Sequence, residues 1–205
     1  MNIFLETPRL ILRQLTFDDL DNLVTIDRNP EVMRFINGGI ATSSKAIAEE
    51  FLPYVMSYYD KSKSMGFWAI VEKQSKEFLG WIFLRPEADF ELLQQLDLAE
   101  KDAVELGYRI RQQSWNRGYT TEVAKALIDK SFAETQANKI NAWALIENKG
   151  SIRVMEKAGL KLQQEYVVTA SMFKDDSLLA KPLIKNLLDR TLVKYQLKKA
   201  VSSPG

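Results

Sequence analysis

A chain of 205 residues, 46% hydrophobic and 27% charged, has the size and composition of one globular domain with a full core. Lys plus Arg number 28 against 27 acids, a balance that gives no global field for nucleic acid or an anionic membrane. Cysteine and histidine are both absent, which excludes disulfides, thiolate and imidazole metal sites, cysteine nucleophiles, Ser-His-Asp catalysis and the commonest general base near neutral pH.

Proton transfer must therefore fall to carboxylates, Tyr, Lys, hydroxyls or water. No Asp-x-Asp-x-Asn-Gly type loop is present, so no metal is expected. No apolar run approaches the roughly 18 residues of a membrane span, and the stretch Met1 to Arg9 is too weakly apolar for a secretory signal. The expectation is a cytoplasmic protein.

In chain order, Arg9 to Arg13 is a β-prone run, followed by Thr16 as a helix N-cap with Asp18 and Asp19 in the first turn. That helix directs Leu20, Leu23, Val24 and Ile26 toward the core. Asn29-Pro30 breaks it, and Pro30 opens a short helix from Glu31 to Phe35. Asn37-Gly38-Gly39 is a turn. Thr42 or Ser43 then starts a long amphipathic helix through about Tyr59, bent or reset near Pro53. Gly66 to Val71 and Glu77 to Leu84 form a hairpin across a polar linker. Residues 86–103 are acidic, with Phe90, Leu92, Leu93, Leu96 and Leu98 at rough helical spacing, and read as a loop carrying a short helix.

The central stretch reads as a strand over Glu105 to Ile110, a loop over Arg111 to Thr121, and a helix from Glu122 that turns Val123, Ala124, Leu127, Ile128 and Phe132 to one face. The loop holds Arg117, Gly118, Thr120 and Thr121. A helix start leaves backbone N–H groups unpaired, and the macrodipole adds positive charge, so the loop can seat a phosphate. The plainer reading is a glycine turn with a Thr N-cap. Lys139 to Ile146 is apolar on both faces, as in a strand buried on two sides. Asn148 to Ser151 turns into a helix ending at Ala158-Gly159, and Leu160 to Val168 is another strand.

Ser171 to Asn186 holds polar turns around an apolar segment broken by Pro182. Arg190 to Lys198 alternates Thr191, Val193, Tyr195 and Leu197 on one face, a half-buried strand, with Lys194, Lys198 and Lys199 at a solvated tip. Val201 to Gly205 reads as a frayed tail. With no repeat and no linker, the chain is expected to be one αβ domain over residues 1–200 with a flexible tail at 201–205.

Four pieces in this order resemble the GNAT acyltransferase superfamily, and most of all its branch of ribosomal-protein N-terminal acetyltransferases. They are Glu6-Thr-Pro-Arg-Leu-Ile-Leu-Arg13 before a Thr-capped helix, Asn29-Pro-Glu-Val-Met-Arg-Phe35, Leu106-Gly-Tyr108 with Trp115-Asn-Arg-Gly-Tyr-Thr-Thr-Glu122, and Glu147-Asn148-x-x-Ser151 through Ala158-Gly159. The resemblance covers about residues 5–166 plus the final strand. It implies an α/β single-domain GNAT fold: a mixed, mostly antiparallel central sheet flanked by helices, with a splayed central strand pair.

The resemblance further implies acetyl-CoA as co-substrate, with its pyrophosphate on the loop residues Asn116, Arg117, Gly118, Tyr119, Thr120 and Thr121. Of the family pattern Arg/Gln-x-x-Gly-x-Gly/Ala, only Gly118 matches strictly. The pantetheine arm would pair with the strand at Tyr108, Arg109 and Ile110, as an added strand does, and Asn148 would hold it from the other side.

Acetyl transfer to an amine of pKa about 10.4 benefits from a base, and a carboxylate acting through water is the natural one here. Glu105 is the first candidate, against a plain role as an exposed strand charge or an Arg partner; Glu147 is the second. The family's proton-donating Tyr falls on Met155, so Ser151 is the alternative acid, against a plain helix-cap role. A strand N–H near Ile110 would meet the oxyanion.

The implied activity is N-acetylation of a primary amine, on a peptide or protein N-terminus or a small molecule, by direct attack in a ternary complex. A catalytically silent CoA-binding regulatory module and an unrelated phosphate-binding αβ domain are the alternatives. The acceptor should contact Arg34 to Ile36 and the segments 86–103 and 169–190. The acids Glu87, Asp89, Glu91, Asp97, Glu100 and Asp102 hint at a cationic acceptor, although a solvated face explains them more simply. Nucleic acid and membrane are not expected partners, and monomer and homodimer both remain open.

Overall fold

Eight strands form one sheet in a computed structural model that describes residues 2–200; the expected tail at 201–205 lies outside the described residues. The strands are β1 (Ile3–Glu6), β2 (Leu10–Gln14), β3 (Gly66–Glu72), β4 (Phe78–Pro86), β5 (Ala103–Ile110), β6 (Lys139–Leu145), β7 (Lys161–Val167) and β8 (Thr191–Lys198), in the order β1-β2-β3-β4-β5-β6-β8-β7. The β-prone opening splits into two strands because Thr7 closes a turn on Leu10, its backbone N–H donating to the Leu10 carbonyl at 2.9 Å.

Every neighbouring pair is antiparallel except β5 and β6. That parallel pair is short: only Ala103, Val104 and Glu105 lie beside Lys139, Ile140 and Asn141. Beyond it β5 stays with β4 through Ile110, while β6 stays with β8 through Leu145. The two central strands therefore splay, as expected, and leave a gap along Leu106 to Ile110.

The helices are α1 (Leu20–Asp27), α2 (Pro30–Asn37), α3 (Ser44–Ala46), α4 (Leu52–Lys61), α5 (Glu91–Gln95), α6 (Tyr119–Glu134), α7 (Lys149–Lys157) and α8 (Pro182–Leu187). Helices α6 and α7 cover one sheet face, where Val123, Ala124, Leu127 and Ile128 pack on Val104, Leu106 and Ile140. On the other face, α1 and α4 cover β3 and β4 through Leu23, Val24, Leu52 and Val55. The expected reset near Pro53 is a π-turn over Ile47–Phe51, in which the Leu52 N–H reaches back to the Ile47 carbonyl. The wide turn lets Pro53, which has no N–H, sit in the first turn of α4.

The chain's last third departs from expectation. Strand β8 is buried on both faces rather than half-buried, because α5, α8 and the turns between 169 and 181 close over its second face through Leu92, Leu178, Ile184 and Leu192. Lys194 is accordingly not at a solvated tip. It is 5% exposed, pairs with Glu100 and lies 5.4 Å from the Trp143 ring centroid.

The acidic run is likewise not a uniform solvated face. Glu87 is fully buried and accepts from Asn141 Nδ2 at 3.0 Å, Trp143 Nε1 at 2.6 Å and the Glu100 N–H at 2.9 Å. Glu100 meets Lys139 as well as Lys194. Long-range pairing won over local charge pattern.

Candidate active site

The loop after β5 is built to leave its amides free. A 3-10 turn over Gln112–Ser114 leads through Trp115 to Asn116 (φ 61°) and Gly118 (φ 76°), both left-handed, and α6 starts at Tyr119. Asn tolerates that conformation and Gly adopts it freely. The helix therefore begins three residues before Glu122, with Gly118 rather than a Thr at its cap and no side chain capping it. Among the described residues, no protein acceptor takes the backbone N–H groups from Asn116 to Thr121; the first to be paired belongs to Glu122, which donates to the Gly118 carbonyl at 3.0 Å. Six free amides at the positive end of a 16-residue helix are suited to seat an anion.

That seat is strapped from behind. Glu122 Oε1 accepts from the Thr7 hydroxyl at 2.6 Å and the Arg9 backbone N–H at 3.0 Å, and Oε2 takes Arg9 Nε at 2.7 Å. Arg9 also donates to the Arg117 carbonyl at 3.0 Å and stacks 4.5 Å from the Tyr119 ring centroid. Although partial burial opposes it, these donors hold the Glu122 carboxyl below its ordinary range. The side chain of Tyr119 is buried, its hydroxyl donating to Glu72 at 2.5 Å. Thr120 is buried, Thr121 half-buried, and Asn116 and Arg117 are exposed. Sequence reading missed Thr7, Arg9 and Glu122 as parts of this seat. Their signal was the Thr-Pro-Arg turn, but its meeting with α6 is more than a hundred residues away in the chain.

The free edge of β5 continues from the loop. The Arg111 N–H donates to the Leu79 carbonyl at 2.8 Å, so by strand alternation odd-numbered residues turn their amides to β4 and even-numbered ones turn theirs to the gap. Tyr108 offers its N–H and carbonyl there, and Ile110 its N–H. The Ile110 carbonyl is taken by Trp115 Nε1 at 2.9 Å. Arg109 is the exception in the expected set. Its amide faces β4, and its guanidinium points across the other sheet face to Asp27 at 2.5 Å and over the Trp81 ring at 5.1 Å. Both lie at a cavity of about 160 Å³ lined also by Leu23, Thr42, Ile47 and Phe51.

Across the gap stands the start of α7. Asn148 is its N-cap, its Oδ1 accepting the Ser151 N–H at 3.2 Å, so Ser151 is not the cap but the third helical residue. Ser151 meets the Tyr108 hydroxyl at 2.9 Å through its carbonyl and 3.1 Å through Oγ. Burial pushes the Tyr108 phenol up, against the opposing Ser151 contact. Met155, one turn further, is buried. Glu147 points away to Arg190 at 3.2 Å; slight burial opposes, but its own backbone N–H and Arg190 hold its carboxyl below the ordinary range.

Glu105 lies on the opposite sheet face, 5% exposed. Its Oε2 takes Arg85 Nε at 2.6 Å, while no protein donor among the described residues takes Oε1. Arg85 is sandwiched by Phe90 and Phe83, 4.1 and 4.8 Å from their centroids, and donates to the Tyr54 hydroxyl at 3.3 Å. Burial pushes the Glu105 carboxyl up, and Arg85 pulls against it. Arg85 was not read from sequence; its only signal was its place in β4, directly across from Glu105 in register.

The chain is thus an open mixed αβ sheet with a splayed central pair and a helix start with free amides after its central strand. Solved structures share the fold: RimL, a ribosomal L7/L12 alpha-N-protein acetyltransferase in complex with coenzyme A, matches with TM-score 0.71 at 12% identity over 96% of this chain and 98% of that one. MccE, a microcin C7 self-immunity acetyltransferase in complex with acetyl-CoA and AMP, matches with TM-score 0.69 at 12% identity over 94% of each chain. Among sequences, the N-acetyltransferase YoaA of Bacillus subtilis, itself uncharacterized, is 28% identical over 172 residues, 83% of this chain and 89% of YoaA. The family model for the acetyltransferase (GNAT) domain matches residues 9–161, and the chain belongs to that family as an N-acetyltransferase. No helix among the described residues is long and apolar enough to cross a membrane.

Proposed function

We propose that this protein transfers the acetyl group of acetyl-CoA to a primary amine, with the two sheet faces at β5 serving the two substrates. The observation that carries this reading is two stretches of unpaired backbone on either side of the turn at Arg111 to Trp115, whose own groups are partly engaged. They are the amides of Asn116 to Thr121, and the free N–H and carbonyl of Tyr108 with the N–H of Ile110. A pyrophosphate fits the first part and a pantetheine amide the second, in the manner of an added strand. Gly118 shapes the seat, Asn148 faces the arm from α7, and the Ile110 N–H is available to developing negative charge on an acyl oxygen. When bound, the thioester supplies an electrophilic carbonyl and a leaving sulfur of pKa about 8.5.

The chain's own groups do the rest. Glu105 accepts the proton of the attacking amine on its free Oε1, directly or through one water, while Arg85 holds Oε2 still. A base whose pKa is lifted by burial suits proton abstraction near neutrality. The acceptor approaches on the face of Phe35, Phe90 and Tyr54; an amine at a peptide or protein N-terminus and a small-molecule amine both fit. Glu147, exposed and held by Arg190, is not a base in this scheme.

The test is thiol release from acetyl-CoA across a panel of amines and peptides, with Glu105→Gln compared to wild type. Gln keeps an acceptor for Arg85. The variant should lose about 10²-fold in kcat and recover partly at high pH, where the acceptor deprotonates itself. An unchanged pH–rate profile removes Glu105 from the mechanism. Tight CoA binding without transfer to any amine would leave only a silent binding module.

A further inference from the structure

The side chain of Tyr108 has no part in the free strand edge its backbone lines, yet it bridges the splay. It leaves β5 on the α6–α7 face and ends on both oxygens of Ser151, at 2.9 and 3.1 Å. One phenolic hydrogen thus faces two acceptors. At rest the phenol donates to the Ser151 carbonyl, and the Ser151 hydroxyl can donate back to the phenolic oxygen. Turning both O–H bonds, with no heavy atom moving, lets the phenol support Oγ and frees the serine hydrogen to turn toward the gap. The surroundings leave few other donors there. Met155 carries no O–H, the Ser151 N–H is engaged by Asn148, and the Gly150 N–H has no acceptor among the described residues.

We infer that Tyr108 is a positioning residue for leaving-group departure, aiming the Ser151 hydroxyl at the sulfur that leaves the acyl carbon. This rests on the acetyl-transfer reading above. As the amine's electron pair forms the C–N bond, the C–S pair departs on sulfur and the amine proton passes to Glu105. Ser151 and the Gly150 N–H hydrogen-bond the sulfur anion at the positive end of α7. The thiolate afterwards takes a proton from solvent, and Glu105 returns one to it. The phenol stays a donor throughout, since burial opposes its ionisation.

The test is a cycle of wild type, Tyr108→Phe, Ser151→Ala and the double variant. Removing the phenol should lower kcat about tenfold, with the KM for acetyl-CoA and the thermal midpoint nearly unchanged, and cost less than twofold once Ser151 is Ala. Independent, multiplying losses, or a loss carried by KM, would overturn the role of Tyr108. A second measurement needs no turnover: the thiol of bound CoA, followed by thiolate absorbance, should titrate below the free value of about 8.5 in wild type and move back toward it in Tyr108→Phe. Equal titration in the two proteins also overturns it. Wild type that acetylates no amine would instead sink the acetyl-transfer reading, whereas an active wild type with a Tyr108-independent cycle sinks only this inference.

Discussion

The two sides of β5 are built from different materials. On the gap side the working groups are backbone amides, set by two left-handed residues, a helix start and a strand that loses its partner. On the opposite side they are side chains, Glu105 on Arg85 and Glu87 among Asn141 and Trp143, brought together from β4, β5, β6 and the segment after β4. On the proposed reading, the backbone groups take the phosphates and amides of the donor and the side-chain constellation suits the acceptor.

The comparison breaks most readily at Glu87. Glu87→Ala strips the partner from buried donors on Asn141, Trp143 and Glu100. At about 1–3 kcal/mol per unsatisfied group, a loss of about 4 kcal/mol is expected in urea unfolding, with acceptor turnover lost before CoA binding at intermediate temperatures. On the backbone side, Gly80→Ala would set a Cβ 2.2 Å from the Arg109 carbonyl and 2.7 Å from the Ile110 Cα. Backbone has to move, so about 3 kcal/mol should be lost. The displaced Ile110 amide should weaken CoA binding even where the protein stays folded, as isothermal titration would show.

Two smaller changes sharpen the contrast. Gly118→Ala forces a side chain into φ 76°; strain of about 1–2 kcal/mol should weaken CoA about tenfold by calorimetry and leave the amine KM alone. Glu122→Gln keeps the shape of the strap but not its charge, and a two- to fivefold weakening of CoA, of the order of a lost charge-assisted bond at a partly exposed site, is expected. The same carboxylate sets a pH dependence. Its folded pKa lies below the ordinary value of about 4.3, so its contribution is complete above that value. It is lost as pH falls through the lowered one. Folding stability of wild type, read in urea unfolding, should decline over that acidic range, and that part of the decline should vanish in Glu122→Gln.

How far the chain could be read in advance differs between these regions for the same reason. The strand, loop and helix around Gly118 were legible because turn glycines, apolar period and short separation are local. Even there the helix start was misplaced, since Thr120 is packed inward and Gly118, with no side chain, does the capping. Ser151 read as a cap when Asn148 holds that place. Arg109 was assigned to the free strand edge, although strand alternation turns its amide to β4 and Asp27 draws its side chain to the other face. Lys194 and Glu87 look like surface charges by composition and are buried by partners 94 and 54 residues away.

What the sequence by itself determined was the order of strands and helices and a glycine turn at a helix start able to seat a phosphate; the splayed pair was expected only from the likeness of four motifs to a known family. The first two follow from hydrophobic period, glycine torsion and the geometry of a helix start, all of which act within a few residues. Which oxygen of Glu105 is free, what Tyr108 touches, and which amides face the gap were decided only by tertiary structure. Each depends on the register of β5 against β4 and on where α7 comes to rest, and such choices are made by packing among elements distant in the chain.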